Sequence, residues 1–317
     1  MIRLLTVLVL SGLSAQAQTI TETFGSGANQ FSIDFVQIGN PENIADTSNT
    51  NAPPVGSVSY VFNLGKYEMS RDMVLKASTA GGLGITLHDM STYGGNGLNR
   101  PATGISWNEA ARFVNWLNTS SGYSVAYKFD GGGNFQLWNS GENGFQATNP
   151  FRNSLARYFI PSSHEWYKGA YGSPDGSWYS YATGSNAAPS SVSGGTAANT
   201  SVYYSDSTQY PRGPADINNA GGLSPYGTMA QGGNVWELLE GVFDGATFRT
   251  DIAQARGASW YNGIEYLEKT IQSHFSVTTL GAEGESAGFR IAMVPEPSSL
   301  SLLLAGGAVL MAGRRRR

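Results

Sequence analysis

The chain of 317 residues contains no cysteine. Disulfide staples, thiolate metal ligands and cysteine nucleophiles are therefore excluded, and stability has to come from core burial. Histidine is scarce as well. His88, His164 and His274 lie far apart, so no His, His, Glu cluster at helical spacing is available for iron chemistry, and His164 reads as a solvent-facing helical residue. Charged residues make up only 13% of the chain and the net charge is −4, which argues against nucleic acid as a partner. No Gly-x-Ser-x-Gly elbow is present for serine chemistry. The run Asp130-Gly131-Gly132-Gly133-Asn134 lacks the lysine and hydroxyl residue of a phosphate loop and reads as a flexible loop. The acid pairs Glu283 with Glu285 and Glu68 with Asp72 read as solvated surface. What the chain does have is 41 glycines and many Asn, Ser, Thr and Tyr residues, the exterior of a protein that meets neutral polar material.

The two ends differ from the rest. Met1-Ile2-Arg3, an apolar stretch from Leu4 to Leu13 and Ala15-Gln16-Ala17 have the order of a cleavable signal peptide over residues 1–17, with a mature chain from near Gln18. The apolar run is shorter than the roughly 20 residues a spanning helix needs. At the other end, Val294-Pro295-Glu296-Pro297 precedes an apolar segment, 300–313, and the cluster Arg314 to Arg317, which the positive-inside rule keeps cytoplasmic. Residues 294–317 resemble the PEP-CTERM sorting tail of Gram-negative bacteria that make extracellular polysaccharide. That resemblance implies exosortase-type sorting machinery as a partner and a location at the cell envelope or outside the cell. A plain tail anchor, the alternative, gives the same location.

Between the ends, Phe31, Ile33 and Phe35 alternate with polar neighbours, as do Val58, Tyr60, Phe62 and Leu64, and both runs predict half-buried strands. Ser70 is placed to cap a short helix carrying Met73, Val74 and Ala77. Ser106 and Ser162 are each followed three residues later by glutamate, Glu109 and Glu165, which predicts two helices opened by capping boxes. The polar stretches Asp130 to Asn153 and Gly172 to Leu223 predict long loops of the kind that carry function or are tied down by ligands. A few strands, short helices and loop-rich sequence indicate an α+β fold.

Five segments in order carry a resemblance over most of the mature chain: Leu64-Gly65-Lys66-Tyr67-Glu68-Met69-Ser70, Gly104-Ile105-Ser106-Trp107-Asn108-Glu109-Ala110, Ile160-Pro161-Ser162-Ser163-His164-Glu165-Trp166, Gly232-Gly233-Asn234-Val235-Trp236-Glu237, and Arg256-Gly257-Ala258-Ser259-Trp260 with Gly288-Phe289-Arg290. They resemble the formylglycine-generating enzyme, or sulfatase-modifying factor, family, in a domain spanning 30–293. The resemblance implies an irregular, loop-rich fold related to C-type lectins, with bound calcium in place of disulfides.

Read as residues alone, Trp236 is a core tryptophan beside a glycine turn, and Glu237 is either an exposed acid or a ligand for a hard cation. The resemblance implies that the Gly233 and Val235 carbonyls and the Glu237 carboxylate would hold calcium, although Ala230 stands where that site has an asparagine. A second implied calcium position falls at Asn199, Thr200 and Asp206. In the enzymes of this family a cysteine pair binds copper and activates oxygen. Here those positions fall at Asn262 and Leu267, so copper chemistry of that kind, which needs soft sulfur ligands, is not expected. The expectation is a noncatalytic, exported, surface-associated protein that binds polysaccharide or an envelope protein. An oxidase or metal-dependent enzyme with an unrecognised site is the alternative. Trp138, Trp178, Tyr203, Tyr204 and Tyr261 are the candidate contacts, each either stacking on a ligand or covering the core.

Overall fold

Phe31, Ile33 and Phe35 point one way along a strand and Ser32 and Asp34 the other, so the segment can bury one face only if a neighbour pairs with it. The computed structural model, which describes residues 19–48, 53–205, 212–243, 247–277 and 285–295, supplies that neighbour. Strand β1 (Thr19–Phe24) pairs antiparallel with β2 (Phe31–Ile38), placing Thr21 opposite Asp34 and Phe24 opposite Phe31. Strand β3 (Phe62–Gly65) continues the sheet, followed by Ala292–Met293 and Tyr158–Phe159. The last described strand thus inserts between early ones and ties the two ends of the domain together. A second sheet takes Ser273–Ser276, Ile252–Arg256, Trp236–Leu238 and Ala287–Gly288 in that order, its last pair parallel. The signal-peptide and sorting-tail readings, Asp206 and Glu283 lie outside the described residues. Among the described residues no helix is long and apolar enough to cross a membrane.

Among the described residues three α-helices form where local chemistry starts them. In α1 (Arg71–Gly81) the Ser70 side chain accepts from the Met73 amide, and Gly82, at φ 61°, ends the helix in the left-handed region glycine tolerates. Both α2 (Trp107–Ser120) and α3 (Ser163–Tyr171) open with complete capping boxes, Ser106 with Glu109 and Ser162 with Glu165. Helix α2 buries Trp107, Ala110, Ala111, Phe113, Val114 and Leu117. Asn118 on the same helix donates to the Tyr158 carbonyl at 2.8 Å and accepts from the Arg157 and Tyr158 amides, clamping α2 to the first sheet.

Three expectations need correction. The strand predicted from Val58 begins only at Phe62, because the Val58 amide donates to the Asn43 side chain at 3.1 Å and Tyr60 turns away toward α3. Glu68 is not solvated surface: it is fully buried, accepting from Asn234 Nδ2 at 2.5 Å and the Val235 amide at 3.2 Å. Asp130 to Asn134 is a tight hairpin rather than a free loop, since Asp130 Oδ1 accepts from the amides of Gly132 and Asn134, each at 2.9 Å.

Candidate functional site

Beyond the strand Trp236–Leu238 the chain runs between the second sheet and the start of α3. The Leu239 amide donates to the Gln254 carbonyl at 2.8 Å and the Glu240 amide to the Pro161 carbonyl at 3.0 Å. Trp107 on α2 holds the same stretch, its indole N–H donating to the Leu239 carbonyl at 2.9 Å. Glu240 is fixed in this way on the floor of an open cleft of about 1020 Å³. The first turn of α3 lines one side through Ser162, Ser163 and His164, and the Lys269 to Gln272 segment lines another. Amides and hydroxyls share the lining with Pro53, Pro54, Val55 and Val58, and Tyr60, Phe151, Tyr167 and Phe248 are its aromatic faces.

Two charge clusters face this space. In the first, Arg152 donates to Glu165 at 2.9 and 3.2 Å and to the Tyr60 hydroxyl at 2.8 Å, while its guanidinium lies 3.7 Å from the centre of the Phe159 ring. Tyr60 in turn donates to Glu165 at 2.5 Å. The guanidinium nitrogen that donates to Glu165 at 3.2 Å also lies 3.6 Å from Glu240, which accepts from Asn149 at 2.6 Å and from Tyr127 at 3.1 Å. One cation thus serves two carboxylates. Burial would raise both acids, but Arg152, Tyr60 and Ser162 hold Glu165 below the usual range. Glu240, only 2% exposed, receives the smaller share of Arg152 and is repelled by Glu165. Its carboxyl is pushed up to about 7, mainly by burial.

In the second cluster, Asp46 accepts from Lys269 and from the Tyr167 hydroxyl, each at 2.7 Å. Burial opposes ionisation of Asp46, yet these bonds and those of Ser48 draw its carboxyl down to about 2. Arg256 lies against the same wall, 5.3 Å from the centre of the Tyr167 ring. It donates to the carbonyls of Lys269 at 3.0 Å and Ile271 at 3.3 Å, and to Gln272 Oε1 at 2.9 Å.

None of the five candidate contacts lines the cleft. Tyr203 is buried, its hydroxyl donating to the Pro189 carbonyl at 2.8 Å, so it serves the core and not a surface contact. Trp138 is half-buried, donating to the Ala126 carbonyl at 2.9 Å, and Trp178 packs on Tyr167. Tyr204 and Tyr261 are exposed, and the Tyr204 amide donates to the Asn262 carbonyl, so these two share a neighbourhood away from the cleft. His164 is exposed as expected, but its Nδ1 accepts from the Gly56 amide at 3.2 Å.

The calcium reading at Gly233, Val235 and Glu237 does not fit the residues present. Glu237 is fully buried in a two-point ion pair with Arg290 and also accepts from the Trp166 indole at 2.5 Å. A cation there would have to displace a guanidinium that also donates to the Gly65 and Met229 carbonyls at 2.8 Å. Asn199 accepts from Thr183 Oγ1, and Thr200 Oγ1 donates to the Ala197 carbonyl, so both polar side chains are engaged in their own loop. At the two positions that the family resemblance gives to cysteine, Asn262 Oδ1 accepts from the Ser259 amide and hydroxyl, and Leu267 is buried in the main core.

Sequence reasoning missed Glu240, Arg152, Tyr127 and Arg256 as a group lining or supporting one cleft. An acid directly after Leu238-Leu239 was the one local signal. The other three converge only through the fold.

Comparison with known proteins agrees with this architecture. A family model described as "Sulfatase-modifying factor enzyme 1-like domain" matches residues 28–294. Among solved structures, Treponema denticola variable protein 1 aligns at a TM-score of 0.59 with 16% identity, covering 87% of this chain and 99% of that one. CarF aligns at 0.58 with 17% identity, covering 83% and 99%, and PvdO from Pseudomonas aeruginosa at 0.56 with 14% identity, covering 86% and 98%. At such identities these neighbours speak for the fold alone. No curated protein sequence matches the chain.

Proposed function

The chain belongs to the sulfatase-modifying factor enzyme 1-like family, and from that premise we propose that it is a noncatalytic binding protein, exported to the bacterial envelope, that holds a polysaccharide in its cleft. The observation that carries the reading is the cleft itself. At about 1020 Å³ it exceeds what a single sugar fills, and its lining of amides, hydroxyls and a few aromatic faces suits a hydroxyl-rich polymer. The residues at Asn262 and Leu267 support a noncatalytic role, because one closes a turn and the other fills the core. Export through residues 1–17 and sorting through 294–317 bring such a protein to where extracellular polysaccharide is made.

A glycan array probed with the purified chain tests this. Binding to bacterial polysaccharide is expected, and the variant Thr270→Trp, which adds bulk at the exposed rim of the cleft, is expected to fold and to lose that binding. Binding that survives Thr270→Trp, or stoichiometric copper with oxygen uptake on a cysteine peptide, contradicts the proposal. One observation favours a second reading, in which bound polymer is hydrolysed: Glu240 and Glu165 share one guanidinium, and the first holds its proton near neutral pH. Release of new reducing ends from a bound polysaccharide would establish it.

A further inference from the structure

Arg256 is only 6% exposed, and burying a cation costs several kcal/mol unless an anion or a full set of hydrogen bonds compensates. Three other buried or half-buried arginines find a carboxylate within the chain, whereas Arg71, equally buried, donates to the His88 carbonyl away from the cleft. Arg290 pairs with Glu237, Arg152 with Glu165 and Glu240, and Arg157 with Glu22. Among the described residues Arg256 pairs with no carboxylate. It makes its bonds to two backbone carbonyls and one neutral amide, and its Nε is buried without a partner. Asp46, the acid that lines that wall, is already matched by Lys269. Gln254, on the same wall, has its amide oxygen buried and unpartnered while its amide nitrogen donates to Gln272.

We infer that the polymer held in the cleft is an acidic polysaccharide, and that a uronate carboxylate on it sits against the Arg256 wall and supplies the counter-charge that the chain leaves out. The inference rests on the polysaccharide reading above and specifies its ligand. The cleft is then polarised along its length. At the Arg256 end, Asp46 and Lys269 cancel and one guanidinium charge remains. At the other end Arg152 is already matched by Glu165 and faces Glu240 as well, so a second anion is disfavoured there. A polymer with carboxylates spaced along a hydroxyl-rich chain can place one acid at the first end and uncharged hydroxyls at the second. The negative net charge of the whole protein does not oppose this at short range, because exposed charges farther than a Debye length of roughly 8 Å are screened at physiological salt.

Gln272 allows a test that leaves the fold intact. It is exposed, and its Oε1 already accepts from Arg256 NH2, so Gln272→Glu keeps the shape and both hydrogen bonds while giving Arg256 a carboxylate of the chain's own. Affinities of the full chain are measured by calorimetry for hexamers of galacturonate, glucuronate and mannuronate and for their carboxyl-reduced forms. At least one uronate hexamer is expected to bind roughly tenfold or more tighter than its reduced form, the effect of one charge-assisted contact. Gln272→Glu is expected to erase that preference and keep or raise the melting temperature. Equal affinity for acidic and reduced hexamers, or a preference that survives Gln272→Glu, overturns the inference and leaves polysaccharide binding standing. Failure of every hexamer to bind overturns both.

Discussion

Replacing Glu240 with glutamine measures the cost of ionising a buried carboxylate that has to share its guanidinium with Glu165. Glu240 has an ordinary carboxyl value of 4.5 when unfolded and about 7 in the folded chain. Between those two values the folded state holds a proton that the unfolded state has released, so stability is greatest below pH 4.5 and falls as the pH rises toward 7. At about 1.4 kcal/mol for each tenfold step, the loss is bounded at ~3 kcal/mol, and it levels off above neutrality. Glutamine cannot ionise. Its amide can still meet Tyr127, whose oxygen accepts as well as donates, and Asn149 can reorient, at a cost on the order of 1 kcal/mol for imperfect bonds. The variant is therefore expected to be no more stable than the wild type at pH 4.5 and more stable by ~2 kcal/mol at pH 8. Urea denaturation from pH 4.5 to 8.5 measures this as the difference between the two proteins, which cancels the histidines and other carboxylates that titrate in both. A difference that stays flat across that range, or that favours the wild type as the pH rises, refutes the assignment of the buried proton to Glu240.

Three further outcomes follow from the geometry. Ser106→Ala removes the capping box of α2 and is expected to cost about 1 kcal/mol in urea denaturation. Gly233→Ala is expected to destabilise by about 3 kcal/mol or more, or to prevent folding, because φ is 94° there and a Cβ would run into the Val202 carbonyl oxygen; recovery of soluble, cooperatively melting protein at wild-type yield would contradict it. Asp46→Asn is expected to lower stability at pH 7 by ~2 kcal/mol, as the Lys269 and Tyr167 bonds lose their charged acceptor. The folded value of Asp46, about 2, is below its ordinary 3.8, so its contribution is present above pH 3.8 and fades as the pH drops through 2; the variant and wild type should converge in acid.

What the sequence disclosed and what it hid divide by range. The starts of α1, α2 and α3 were legible because a cap is a contact across three residues; the α+β class followed from the order of strands, short helices and loop-rich stretches, and the family from the five ordered segments. Strand β2 was legible for the same local reason, its alternation of Phe31, Ile33 and Phe35. The strand at Val58 was overcalled, since alternation says that a residue can face a core and not that a neighbouring strand will reach it. Glu237 could be read as a cation ligand only while its partner was unknown, and Arg290 lies 53 residues away. The cleft was the least legible feature. Its charged residues run from Asp46 to Lys269 and meet only after α3, the segment after Leu238 and the Lys269 to Gln272 segment are packed together.

The two positions that carry cysteine in the family's enzymes show how this scaffold is used here. Asn262 spends its side chain on the Ser259 amide and hydroxyl, which fixes the turn that ends in Trp260 and Tyr261. Leu267 closes a short 3₁₀ turn, Ile264–Leu267, and buries its side chain in the main core, so the chain leaves that turn in a set direction. The very next residues, through Gln272, form the cleft wall and offer the carbonyls of Lys269 and Ile271 to Arg256. Leucine at 267 therefore anchors the segment that orients the unpaired guanidinium. Truncating it to alanine should cost roughly 2–5 kcal/mol in stability, as for other buried leucines. If the segment is what aims Arg256, Leu267→Val, a smaller volume change that keeps the fold, should weaken binding of a uronate hexamer while leaving its carboxyl-reduced form unaffected. Equal weakening of both probes would assign Leu267 to general stability and break its link to the cleft.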